Sequence, residues 1–104
     1  MKYLRLEEVR QQYGVSESDI EMLAREQLIE VKHTLEDERV MSAEDAENAR
    51  LVLMLLNELD VNLPGAEVIV HMRAEMLAMA RQFGRILETL VDELRQTISN
   101  VPRD

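Results

Sequence analysis

One row of side chains has the residue types and spacing of a metal or acid–base site. Glu67, His71 and Glu75 are four residues apart, so on a helix they lie along one face, where carboxylate and imidazole groups could bind Zn²⁺ or exchange protons. The two carboxylates would be two turns, roughly 11 Å, apart along the helix axis, which is too far for both to bind one ion. An exposed helix row is therefore the preferred interpretation, and a zinc site completed by a second chain is the alternative.

The rest of the composition offers little for catalysis. The 104 residues include no Cys, two His and three Gly, which leaves no thiolate nucleophile, no thiolate metal site and few glycines for a phosphate-binding loop. None of the common nucleotide-binding, hydrolase or metalloprotease motifs occurs. The sequence therefore predicts that the protein is not an enzyme, uses no cofactor and holds no metal ion.

The chain is strongly acidic, with 21 Asp and Glu residues against 12 Lys and Arg and a net charge of −9. Such a charge repels a phosphate backbone, so a basic protein surface is a better partner than DNA. No apolar run approaches the roughly 20 residues that span a bilayer, and no apolar signal segment follows the N-terminal residues. We therefore expect a cytoplasmic protein with no membrane partner.

The elements that must position any site begin with two short helices joined by a glycine-containing turn. The apolar residues of 6–13 recur at helical spacing, and Gly14 stands where a glycine commonly ends a helix. Ser16 and Asp19 form a capping box for a second helix over about 17–26. This arrangement predicts a helix-turn-helix.

A small β-hairpin, or wing, is predicted next. Apolar and polar residues alternate over 29–34, and Val40 and Met41 could form the returning strand. The acidic run 36–38 is polar enough for the turn, although it lacks the Asn-Gly pair of a tight two-residue turn.

Two further helices complete the chain. Ser42 and Asp45 form a second capping box, which begins a helix that ends near residue 60. Asn62 is a suitable N-cap for a last helix that continues to about residue 100. We accordingly divide the chain into a winged helix-turn-helix with its following helix, residues 1–62, and a single long helix, residues 63–104.

The last helix carries an apolar seam with alternating spacings of three and four residues, the heptad pattern of a coiled coil. Such a helix spans about 50 Å, more than the diameter of about 30 Å of a small domain, so we predict a homodimer. A break near Gly84, with the helix folded back on 51–59, is one alternative, and a methionine-rich binding groove is another. The apolar seam consists of Ile69, Met72, Met76, Met79, Phe83, Ile86 and Leu90.

The order of these elements resembles the DNA-binding and linker-helix half of the MerR family. Three stretches carry the resemblance and together cover most of residues 3–75: the helix turn Tyr-Gly-Val-Ser at 13–16, Ala-Arg-Glu-Gln-Leu-Ile at 24–29, and Asn-Leu-Pro-Gly-Ala-Glu-Val-Ile at 62–69. Each motif alone is weak, and their order makes the assignment. The resemblance implies a mainly α fold, a winged helix-turn-helix with a small β-hairpin wing and a long C-terminal dimerisation helix.

Within that superfamily the chain is similar to chaperone modulators of the CbpM type, which are about this long, acidic and MerR-like. The shared motif is Leu63-Pro64-Gly65, followed by Val68, at the start of the last helix. This resemblance implies a homodimer that binds the J-domain of a DnaJ-like co-chaperone and restrains its stimulation of Hsp70.

The second helix distinguishes such a modulator from DNA-binding relatives. A helix that reads the major groove presents Arg, Lys, Asn or Gln, whereas residues 17–26 carry four acidic side chains and one basic. An ion pair of Glu21 with Arg25 would neutralise only part of this charge. We predict that the basic second helix of a J-domain docks on an acidic face, formed by Glu17, Asp19 and Glu21 of the second helix and Glu36, Asp37 and Glu38 of the wing.

Three alternatives stay open. The chain could be a MerR-family transcriptional regulator that binds DNA with the same fold. It could also be a structural assembly module with no regulatory role. The acidic face itself could be an ordinary solvated surface.

Overall fold

The computed structural model describes residues 2–100, so residue 1 and residues 101–104 of the two predicted domains lie outside the described residues. The described part divides into two compact units between Val70 and His71. Its element order confirms the predicted mainly helical, winged helix-turn-helix fold. The elements are β1 (Tyr3–Arg5), α1 (Leu6–Tyr13), α2 (Glu17–Arg25), β2 (Lys32–His33), β3 (Arg39–Ser42), α3 (Ala43–Glu58) and α4 (Leu63–Ser99).

The helix-turn-helix forms because each helix has its own stop or start signal. Gly14 follows α1 with a φ of 68°, a left-handed conformation that glycine adopts without a Cβ clash. At the start of α2 the Asp19 N–H donates to Ser16 Oγ (3.1 Å) and the Ser16 N–H donates to an Asp19 carboxylate oxygen (3.4 Å). The predicted capping box is therefore confirmed, and α2 buries Ile20 and Leu23.

The wing is part of a three-stranded antiparallel sheet in residues 2–100, with β3 between β1 and β2. The pairing of β2 with β3 is the predicted hairpin. The prediction was incomplete because β1 pairs with the other side of β3, where Leu4 lies opposite Met41. Both side chains are buried, so the pairing of β1 with β3 brings Leu4 of the N-terminal segment into the apolar core.

An apolar core holds together the elements of the first unit, which ends at Val70. Its residues come from β1, α1, α2, β3, α3 and the first two turns of α4, together with Val15 and Ile29 from the connecting segments. Ala46, Ala49 and Val52 of α3 are completely buried, and the two small side chains allow α1 and β3 to pack closely against this helix. Ala66 and Val70 of α4 are buried as well.

A capped turn leads from α3 to α4. The chain passes through Asp60 with a φ of 52°, and the Val61 N–H donates to the Leu55 carbonyl (3.0 Å). The Asn62 side-chain oxygen accepts from the Gly65 N–H at 2.8 Å, which confirms its predicted role as N-cap. A Cβ at Gly65 would lie 3.0 Å from that oxygen, so glycine leaves room for the cap.

Helix α4 continues without a break to Ser99, so the alternative with a helix break near Gly84 is wrong. A glycine in a helix interior costs only about 1 kcal/mol, which the surrounding helix-forming residues offset. Among residues 2–100, no helix combines the length and the apolar content that crossing a membrane requires.

Candidate partner-binding site

The acidic face begins on α2, where its three carboxylates have different surroundings. Asp19 is half-buried and completes the capping box, while Glu21 is exposed. The expected Glu21–Arg25 ion pair is absent from the salt bridges of residues 2–100. An exposed pair gains little over hydration and loses side-chain entropy, so its absence costs little stability. The charge of Glu21 is therefore not neutralised by its own helix.

An ion pair joins α2 to the wing. Arg39 Nη2, at the start of β3, lies 2.9 Å from Glu17 Oε1 in the first turn of α2. The two residues are 22 positions apart in the sequence, so only the tertiary fold brings them together. The contact places the two parts of the acidic face, α2 and the wing, next to each other.

The wing ends in a hydrogen-bonded turn with a three-residue loop. The Asp37 N–H donates to the Thr34 carbonyl and the Thr34 N–H donates to the Glu38 carbonyl, both at 2.9 Å. The Glu38 N–H also donates to Thr34 Oγ1 at 3.1 Å. Asp37 has a φ of 62°, the left-handed conformation that closes loops of this length. The turn therefore holds Leu35 and Glu36 in exposed positions.

Both cations of the wing are engaged by neighbouring groups. Lys32 Nζ donates a hydrogen bond to the Tyr3 hydroxyl (3.1 Å), and this hydrogen bond, with smaller charge interactions from Tyr3 and Glu30, raises the pKa of Lys32. Arg39 is held by Glu17. Within the described wing, no Lys or Arg is left without an intramolecular partner.

A third cation lies at the base of the wing. Arg5 Nη1 at the end of β1 lies 3.7 Å from Glu38 Oε1, and Arg5 Nε lies 3.9 Å from Glu8 Oε1. The sequence pattern did not indicate Arg5 or Arg39 as counter-charges of the acidic face. Their partners on that face are far away in the sequence, and no local spacing reveals such pairs.

The acidic face thus contains two kinds of carboxylate. Those held by an arginine or by the helix cap are Glu17, Glu38 and Asp19. Those that are exposed and form no ion pair among residues 2–100 are Glu21, Glu36 and Asp37. The charge that this surface can offer to a partner is therefore negative.

The apolar seam lies along α4 and is exposed throughout. Its exposed fraction ranges from 37% at Ile69 to 68% at Met76 and Met79. Contiguous exposed apolar residues mark interaction surfaces in proteins. The other members of the seam, all exposed, are Met72, Phe83, Ile86 and Leu90.

Comparison with protein families gives evidence for the family that is independent of the geometry. A family model described as MerR HTH family regulatory protein matches residues 4–96, from β1 through most of α4. The chain belongs to the MerR family. Its helix-turn-helix is formed by α1 and α2, and β2 and β3 form the wing. No curated protein matches this MerR-family chain.

A half-buried carboxylate anchors the base of the wing in this MerR-family fold. Asp45, in the first turn of α3, accepts a hydrogen bond from the Glu30 N–H at 3.0 Å. Ser42 Oγ caps α3 by accepting from the Asp45 N–H, but the Asp45 carboxylate binds Glu30 instead of completing a second capping box. That prediction is thus half correct. Burial raises the pKa of Asp45, and the hydrogen bond from Glu30 opposes this shift.

In the row of Glu67, His71 and Glu75, one contact forms, between His71 Nε2 and Glu75 Oε1 at 3.1 Å, and both side chains are exposed. Among residues 2–100, no three His, Cys, Asp or Glu side chains come close enough together to hold a metal ion. The row therefore has the geometry of an exposed helix surface.

Proposed function

We propose that this MerR-family chain is a non-enzymatic cytoplasmic regulator that binds the J-domain of a DnaJ-like co-chaperone and restrains its stimulation of Hsp70. The observation that carries the proposal is that unpaired carboxylates outnumber unpaired cations on α2 and the wing, where Arg25 is the one exposed Lys or Arg with neither an ion pair nor a side-chain hydrogen bond among residues 2–100. The exposed carboxylates Glu21 and Glu36 have no ion-pair partner in the described residues. The wing cations Lys32 and Arg39 are both occupied.

This distribution favours a basic protein over a nucleic acid. A DNA-binding protein gains affinity when Lys and Arg displace counterions from phosphates. Here Arg39 would first have to leave Glu17, and the unpaired carboxylates would repel the backbone. A basic protein surface would be attracted by these carboxylates. The attraction acts at a distance and steers the partner to the acidic face.

The choice of a J-domain rests on the similarity to CbpM-type modulators. The Leu63-Pro64-Gly65 start of α4 carries this similarity, and the second helix of a J-domain is basic. The acidic face and that helix are therefore complementary in charge. Docking there would occupy the basic surface and so restrain the co-chaperone.

We further propose that the regulator is a homodimer formed through the apolar seam. The seam keeps its heptad spacing from Ile69 to Leu90, and every member is exposed in a single chain. In a coiled coil such residues insert between those of the partner helix and leave water. A second copy supplies the matching seam, because both copies carry the same residues.

The direct test is binding of a purified J-domain to the 104-residue chain, followed by Hsp70 ATPase assays with and without this chain. We expect saturable binding that weakens as salt rises, and a lower J-domain-stimulated ATPase rate. No J-domain binding at low salt would contradict the proposal.

A charge reversal tests the acidic face. Glu21→Lys together with Glu36→Lys should slow J-domain association several-fold at low salt, because steering acts mainly on the association rate. Asp19 is left intact because it caps α2. The control, Glu58→Lys with Glu88→Lys, makes the same change in net charge at exposed sites outside the acidic face. If the two variants bind alike, the acidic face is not the docking site.

A MerR-family transcriptional regulator is the second candidate, and the family match is equally consistent with it. Fluorescence anisotropy with labelled duplexes separates the two functions. We expect no nanomolar binding to any duplex. Tight DNA binding with a steep dependence on salt concentration would support the transcriptional regulator instead.

A further inference from the structure

We infer that Leu35, at the tip of the wing, is the apolar anchor of the docking surface and inserts into an apolar depression bordered by Lys or Arg on the partner protein. This inference rests on the proposed function and adds the residue that provides specificity. Leu35 has a relative exposure of 108%, the highest of any large apolar side chain in residues 2–100. Its side chain is thus wholly available to a partner.

The turn presents Leu35 in a fixed position. Three hydrogen bonds between Thr34 and residues 37 and 38 close the loop around it. A partner that binds Leu35 therefore does not have to order a flexible segment, and the entropy cost of docking is small. Single exposed apolar residues are common on protein surfaces. A leucine at the tip of a hydrogen-bonded turn differs from these because it can enter a concave site.

The charges around Leu35 define the partner. Three consecutive carboxylates, Glu36, Asp37 and Glu38, follow it directly. An apolar centre with an acidic border matches an apolar depression with a basic border, which is the usual division of an interface into core and rim. An apolar wedge in the minor groove of DNA would bring the same carboxylates against phosphates. The observations therefore favour a basic protein.

This arrangement assigns different kinetic roles to the two parts of the surface. The acidic side chains attract the partner and set the association rate. Leu35 loses contact with water only after docking, so it sets the dissociation rate. Salt screens the first contribution and leaves the second almost unchanged.

The experiment measures J-domain binding by surface plasmon resonance at low and high salt, using the wild-type chain and three variants. Leu35→Ser should raise the dissociation rate about tenfold, since the apolar contact area is lost, and the effect should persist at high salt. Leu35→Met keeps an apolar side chain and should bind nearly as wild type. The control Leu59→Ser changes another exposed leucine, 60% exposed after α3, and should leave both rates unchanged.

Each outcome supports or overturns the inference. Thermal unfolding should be the same for wild type and Leu35→Ser, because Leu35 makes no core contact. If the wild type binds and Leu35→Ser binds equally well, the anchor is wrong while the proposed function stands. If the wild type does not bind a J-domain, the proposed function and the anchor both fail. A Leu35→Ser defect in binding duplex DNA would also overturn the inference, since Leu35 would then serve a nucleic acid.

Discussion

At the scale of single residues, Asp45 shows how one side chain connects two elements. Its carboxylate binds the Glu30 N–H at the base of the wing, while its own N–H is bound by the Ser42 cap of α3. Burial raises the pKa of Asp45, so the folded state holds this proton more tightly than the unfolded state. The ionised carboxylate therefore costs stability, and the cost appears as pH rises through its pKa.

Replacing Asp45 by Asn tests whether the ionised carboxylate lowers the stability of the fold. The amide oxygen can still accept from the Glu30 N–H, but no charge has to be buried. The stability of Asp45→Asn relative to wild type should be lowest at acid pH and should rise towards neutral pH, by less than about 1 kcal/mol because solvent screens the half-exposed group. Urea unfolding of both proteins at several values between about pH 3 and pH 7 measures the difference. A relative stability that falls with rising pH would contradict this explanation.

Residue-scale features were predictable where they depend on local geometry alone. Ser16 and Asn62 bind backbone groups three residues further along, a distance that helix geometry sets. The Glu17–Arg39 pair was not predictable, because it exists only when α2 and β3 come together. Asp45 had two possible partners, and the sequence alone could not show that the wing would supply one.

At the scale of elements, replacing either of two glycines by alanine should change stability in opposite directions. Gly14→Ala should destabilise the protein by about 1 kcal/mol, because residue 14 has a φ of 68°, where a Cβ is strained. Gly84→Ala should stabilise α4 by up to about 1 kcal/mol, since no heavy atom lies within 4 Å of the added Cβ. Thermal unfolding followed by circular dichroism should show shifts of opposite sign. Shifts of the same sign would refute this assignment.

The helices were easier to predict than the sheet. Each helix has a periodic apolar face and a local cap, and both are visible in the sequence. Strand β1 has three residues, so the weak alternation of Tyr3 to Leu6 predicted only a short extended entry. Its partner β3 lies beyond both helices of the helix-turn-helix. The turn of the wing lacked its usual glycine signal because Asp37 takes the left-handed position.

At the scale of the whole molecule, the apolar seam predicts the oligomeric state. Light scattering should give about twice the chain mass of 12.1 kDa. Met76→Glu should produce monomers, because a carboxylate in a desolvated seam is costly. Ala78→Glu, on the same helix but outside the seam, should leave the dimer intact. A wild-type monomer at concentrations of tens of micromolar would disprove the homodimer.

The sheet has its longest strand in the middle. Because β3 is paired on both sides, the free edges belong to β1 and β2, which have three and two residues. Short edges with charged side chains, here Arg5 and Lys32, give an unrelated chain little backbone on which to add a strand. Concentrated samples should therefore resist fibril formation, and any aggregates that form on storage should keep a helical rather than a cross-β spectrum.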